Sequence, residues 1–164
     1  PEVWLLVSSQ QGTEFAAQFG LPMSLAYFIN QDCLEFAKYY RDNFVPSVFS
    51  SEPRISVGIF SICAETDTEA EELALSASMW RQNSQRGLFA PFPTLDEAKG
   101  SIKLNNTDDK ENRTFVGSPE TVQEKLQPLL EEVQPEELKI ITICEPFVAR
   151  KKSYDLIKNI FNAN

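Results

Sequence analysis

Apolar residues recur along this chain in two alternating rhythms. Continuous runs at residues 3–7, 23–28, 54–63 and 138–144 suit strands buried on both faces of a parallel sheet. Between them, apolar positions return every three or four residues, the spacing of a helix face. Phe15, Ala16 and Phe19 mark the first such segment, which Gly20 and Pro22 end. Asp32 with Glu35 reads as a capping-box start, and Phe36, Tyr40 and Phe44 then share a face. Thr66 and Glu69 repeat that start before Ala70, Leu73, Ala74, Ala77 and Trp80. Ser118 and Pro119 open another helix, whose core face is Val122, Leu126, Leu129, Leu130 and Val133. A last one over residues 149–161 turns Leu156, Ile157, Ile160 and Phe161 inward.

The order is strand, helix, strand, helix, strand, helix, a long excursion, strand, helix. That makes four βα units, half of a closed eight-stranded barrel. The fold class expected is therefore α/β, the C-terminal half of a (β/α)8 TIM barrel. Residues 1–164 are read as a single partial domain. From about residue 82 to 114 the pattern dissolves under Gly87, Pro91, Pro93, Gly100 and the polar run from Asn105 to Asn112, with a short helix near residues 94–98. A stretch this long in a compact domain is expected to be a mobile insertion or functional lid.

Composition narrows the function. A net charge of −9 argues against phosphate-backbone binding, so no nucleic-acid partner is expected. No apolar run approaches a membrane span, and no membrane partner is expected. Cys33, Cys63 and Cys144 are far apart, odd in number and in no CxxC spacing; they read as free thiols in a reducing cytoplasm. With no His in the chain, the usual triads and most metal sites are excluded, and no metal is expected.

In barrels of this kind chemistry gathers at the C-terminal ends of strands. There, Ser8, Ser9, Gln10, Gln11 and Gly12 bring two hydroxyls, a glycine and the first amides of a helix together, an anion site that needs no basic side chain. A plain turn with an N-cap accounts for the same residues. Tyr27 and Phe28 end the second strand, where a flat cofactor stacks or a core simply packs. Glu145, after the last strand, is a general acid or base if buried. No catalytic residue is assigned.

Taken in order, residues 3–9 (Val-Trp-Leu-Leu-Val-Ser-Ser), 14–23, 51–54, 66–71, Trp80, Arg86-Gly87, 116–122, Ala149-Arg150 and Ser153-Tyr154 resemble the bacterial luciferase-like flavin monooxygenases. The resemblance covers essentially the whole chain. It implies the last four strands of a barrel that binds reduced FMN and uses O2 to oxidise a small organic substrate. It also implies that Ser8 to Gly12 help to hold the FMN phosphate, and that the excursion is the family's mobile active-site segment. The chain departs from the family at Val7, at Gln10-Gln11 and at Pro146-Phe147.

Two other readings stand beside this one. A half-barrel with two open edges and an uncovered inner face is expected to associate, with itself or with the N-terminal half, and need not be catalytic. A deazaflavin in place of FMN makes the reaction hydride transfer.

Overall fold

The computed structural model describes residues 2–102 and 114–162. The polar run from Asn105 to Asn112 lies outside the described residues, as does the Cys33 side chain. Among the described residues eleven elements follow one another: β1 (Leu5–Val7), α1 (Gln10–Gln18), β2 (Met23–Ala26), α2 (Cys33–Asn43), β3 (Ile55–Cys63), α3 (Asp67–Gln85), α4 (Leu95–Ile102), β4 (Thr114–Gly117), α5 (Pro119–Val133), β5 (Glu137–Ile141) and α6 (Phe147–Asn162). The strands pair in parallel wherever their register is defined, as βα connections require. The described residues form two compact units, one of residues 2–59 with 126–141 and one of residues 60–102 and 114–125 with 142–162.

In the first unit, β1 pairs with β2 and β2 with β3, Leu5 opposite Met23 and Met23 opposite Ile55. Strand β5 also pairs with β3. The order β1-β2-β3-β5 leaves β1 and β5 as edges. That position overrides the expectation that every strand is buried on both faces. Leu6 is 62% exposed and Ile141 37% exposed, while Met23, Leu25, Val57 and Ile59 are fully buried. Under the sheet, Tyr40 is completely buried; its hydroxyl donates to the Leu21 carbonyl (2.9 Å) and accepts from the Arg54 amide (3.2 Å). Lys139 donates to the Ser56 hydroxyl at 2.8 Å and sits 4.8 Å from the centre of the Trp4 ring, which Arg54 also approaches at 5.0 Å.

Helix α1 turns differently from expectation. Thr13, Ala16 and Ala17 are buried, whereas Phe15 and Phe19 face solvent with their rings stacked 6.1 Å apart. The small residues let the helix lie close to the sheet, and the two large rings do not fit beneath it. The Asp32 start also differs: its side chain makes no capping bond, and its amide donates to Asn30 Oδ1 (3.0 Å).

The second unit contains a strand that periodicity missed. Thr114–Gly117 joins the C-terminal half of β3, Phe60 opposite Thr114 and Cys63 opposite Gly117, making the sheet five-stranded. Four residues are too few to show alternation, and the polar run before them masked the start. The core here is Ile62, Ala64, Ala70, Leu73, Ala77, Val116 and Cys144. Part of the expected irregular excursion is helical and docked: α4 carries a reciprocal capping box between Thr94 and Glu97 and buries Ala98, and Lys99 pairs with Glu72 at 2.7 Å.

Candidate functional site

The C-terminal end of β1 runs directly into α1. Ser9 is the N-cap, in extended conformation, and its hydroxyl oxygen accepts from the Gly12 amide at 3.2 Å. Its carbonyl accepts from both the Thr13 amide (3.1 Å) and the Thr13 hydroxyl (3.0 Å). The amides of Gln10 and Gln11, the first two of the helix, have no carbonyl to meet within it. No acidic residue stands in the first turn, so nothing of the helix's own answers its positive end. Ser8 is half-buried, Ser9, Gln10 and Gln11 are exposed, and Gln10 is steered toward Glu14 (3.2 Å). All five sequence-derived residues thus stand within one turn at one strand end.

Two local features set that turn. Asn30, beyond β2, donates through its side-chain amide to the Ser8 carbonyl at 3.1 Å and ties the two strand ends together. The sequence pattern singles out Tyr27 to Asn30 for its aromatics and gives the Asn30 side chain no role of its own, because an isolated polar residue after a strand reads as loop. Val7 is buried, and its Cγ1 lies 3.4 Å from where a Cβ on Gly12 would stand. The valine packs beneath α1. Strand β2 ends at Ala26; Tyr27 and Phe28 belong to a turn closed by Ile29 and Asn30 amides on the Ala26 carbonyl, at 2.9 and 3.1 Å. Phe28 lies against Gly58, its ring edge 3.1 Å from where a Cβ would stand there.

The second unit's strand ends are occupied by the chain itself. Asp67, in the first turn of α3, accepts from the Ser118 amide at 2.7 Å, and this bond, followed by the one from Thr121, holds its carboxyl below the ordinary range. Glu145 is half-buried and accepts from the Leu95 amide at 3.3 Å, so it caps α4 rather than standing free as an acid or base. Ser153 accepts from the Cys63 amide (2.9 Å) and Tyr154 from the Thr142 amide (3.0 Å), both anchoring α6. Cys63 and Cys144 are free and buried. Burial pushes the Cys63 thiol up to about 11, far from a reactive thiolate. Among the described residues no group of three or more His, Cys, Asp or Glu could hold a metal ion, and no helix is long and apolar enough to cross a membrane.

A parallel βα sheet whose open polar turn lies at a strand's C-terminal end is the arrangement of α/β proteins, barrels and doubly wound sheets alike. Comparison with known proteins sharpens that class. No family model matches the chain. It is 34% identical over 166 residues to the uncharacterized protein YceB of Bacillus subtilis (strain 168), covering 98% of this chain and 50% of that protein. It is 29% identical over 163 residues to a luciferase-like monooxygenase of Escherichia coli (strain K12), covering 96% of this chain and 49% of that one. The crystal structure of apo-MsnO8 superposes with a TM-score of 0.91 at 29% identity, covering all of this chain and 52% of that one. Two more distant structures share the fold alone. The FMN-bound oxygenating constituent of 3,6-diketocamphane monooxygenase from Pseudomonas putida has a TM-score of 0.64 at 19% identity, over 96% of this chain and 47% of that one. The coenzyme F420-dependent tetrahydromethanopterin reductase of Methanopyrus kandleri has 0.57 at 10%, over 94% and 48%. The chain is related to the bacterial luciferase-like flavin monooxygenases. It spans about half the length of the curated relatives it matches.

Proposed function

We propose that this chain supplies the phosphate-binding end of an FMN-dependent, luciferase-like monooxygenase that uses reduced FMN and O2 on a small organic substrate. The observation that carries the reading is the start of α1: two serine hydroxyls, two first-turn amides without helical partners, and no carboxylate within the first turn. Such a turn fits a phosphate dianion through neutral donors and the helix dipole alone. The amides of Gln10 and Gln11 and the hydroxyls of Ser8 and Ser9 hold the phosphate. Gly12 lets it approach the backbone, and Asn30 keeps the Ser8 carbonyl turned away from it. When bound, the flavin supplies the oxygen chemistry; the protein supplies position and a dry surround. Free buried thiols at Cys63 and Cys144 support a reducing cytoplasm as its place.

The test is a titration of the protein with FMN and with riboflavin, which lacks the phosphate. Micromolar binding of FMN and at least about tenfold weaker binding of riboflavin is expected, the worth of one charge-assisted hydrogen bond. Equal binding of the two, or no FMN binding at micromolar flavin, overturns the assignment. The absorption spectrum of cofactor co-purified with the protein separates FMN from a deazaflavin.

A second reading is favoured by the exposed Leu6 and Ile141 on the two edge strands of the first unit. Here β1 and β5 are joining edges that take further parallel strands, from an N-terminal half-barrel or another copy, and the pocket forms only on joining.

A further inference from the structure

We infer that Trp4 is a positioning residue: held by Lys139 and Arg54, it fixes the edge strand β1 and, through it, the Ser8–Gly12 turn. The consequence for phosphate binding rests on the function proposed for that turn. The first observation is how little else holds β1. It is three residues long and, among the described residues, has β2 as its one neighbour. Leu6 is largely exposed and packs little. The C-terminal end of the strand is tied by the Asn30 side-chain amide on the Ser8 carbonyl. Its start is tied by Trp4.

The second observation is where the Trp4 ring lies. The order β1-β2-β3-β5 puts three strand spacings between the two edges, about 14 Å across a flat sheet. Yet Lys139, on β5, brings its Nζ to 4.8 Å from the centre of the Trp4 ring, and Arg54, leading into β3, stands 5.0 Å from it. The strands between carry small residues there. Ser24 and Ser56 are partners in the β2–β3 register and are both buried, and the Ser56 hydroxyl accepts from Lys139. Serines leave room for a ring and an ammonium to meet across two strands. Two cations are drawn to the one ring by its negative face.

The cluster is closed on itself, which makes it a clamp rather than a ligand site. Lys139 pairs with Glu137 at 3.5 Å besides its bond to Ser56. Arg54 Nε donates to both oxygens of Glu136, at 2.9 and 3.2 Å, and its guanidinium pairs with Glu2. Glu2 in turn accepts from the Trp4 indole N–H at 3.0 Å. Each charge has an opposite charge beside it. These bonds join the lead-ins of β1 and β3 to β5, and the β1 ladder begins next to them with the Leu5 amide on the Pro22 carbonyl at 2.9 Å. A short strand held by a ring at its start and by Asn30 at its end is kept from sliding along β2. The Ser8–Gly12 turn, which follows without a break, inherits that position.

Amide hydrogen exchange of the full chain, read residue by residue by NMR, tests this with Trp4→Ala, Trp4→Phe and Lys139→Met. Trp4→Ala is expected to speed exchange at Leu5, Gly12 and Thr13 about tenfold or more, while the amides of α2 and α6 keep their rates. Trp4→Phe keeps a ring for the cations and should restore most of the protection; Lys139→Met should cost about threefold. Unchanged exchange at Gly12 and Thr13, or an equal rise throughout the chain, overturns the proposal. Lys139→Met, which keeps the aliphatic stem, decides it in the same way if Trp4→Ala does not fold. Titrations then follow the consequence: Trp4→Ala should weaken FMN about tenfold and riboflavin less than about twofold. A wild type and a Trp4→Ala variant that prefer FMN equally overturn the positioning role. A wild type that binds both flavins alike, with the exchange result as expected, removes the phosphate from the turn and leaves the clamp standing.

Discussion

The starts of α1 and α3 are built from the same parts and left in opposite states. Each follows a parallel strand, and each has a hydroxyl N-cap accepting from the third helical amide, Ser9 from Gly12 and Thr66 from Glu69, both at 3.2 Å. Helix α3 then places Asp67 and Glu69 in its first turn, and Asp67 also accepts from the Ser118 amide after β4. Its positive end is answered from within, and the carboxylates repel any incoming anion. Helix α1 has no acid in its first turn. The contrast teaches that a capped helix start is not yet a binding site. What decides is whether the chain has spent its own negative charge there.

Glycine substitutions press hardest on the contrast. A Cβ on Gly117 would stand 2.5 Å from Thr121 Cγ2 and 2.9 Å from Asp67 Oδ1, inside the closed clamp. Gly117→Ala is expected to destabilise by about 1–3 kcal/mol, the cost of overpacking, seen as a lower urea midpoint. An unchanged midpoint would mean that the clamp yields freely. Ser9→Asp makes the start of α1 resemble that of α3. It keeps a capping oxygen, so the melting temperature should hold or rise. FMN affinity should fall roughly 10- to 100-fold, about 1.5–3 kcal/mol, with riboflavin affinity little changed. Equal loss of both flavins would detach the turn from the phosphate.

Gly12→Ala is the milder counterpart. The added Cβ meets Val7 Cγ1 at 3.4 Å and Ser9 Oγ at 3.5 Å, ordinary contacts, in a helix where Ala is the better former. It should stabilise the fold by up to about 1 kcal/mol while weakening FMN. Destabilisation on chemical denaturation would show that the turn is tighter than its geometry.

The smallest effect is a pH dependence. The Asp67 carboxyl titrates below its ordinary 3.8, so its contribution is fully present above that value and is lost as pH falls through the depressed folded value. Melts of wild type and Asp67→Asn should therefore differ at neutral pH and converge on acidification. A gap that stays constant with pH would remove the charge from the account.

Much of this was legible along the chain, and the exceptions share a cause. The capping pairs, the strand runs and the Ser8–Gly12 turn depend on neighbours within a few residues, which sequence spacing reports directly. Thr66 with Glu69 and Ser9 with Gly12 are such pairs. Strand β4 was missed because four residues gain their identity only from the partner they pair with, residues 60–63 of β3. Spacing places Phe15, Ala16 and Phe19 on one helical face, yet the two rings face solvent while Ala16 is buried, because helical spacing names a face without saying which face the sheet takes.

By itself, then, the sequence determined the alternation of strands and helices, the absence of His chemistry and the acid-free start of α1, since each is a matter of composition or local spacing. Only tertiary structure decided which strands become edges, that Asn30 holds Ser8, that Asp67 closes on Ser118, and that an apolar pair stands in solvent. These depend on contacts between residues far apart in the chain, and packing against a finite sheet surface selects among faces that periodicity leaves equivalent.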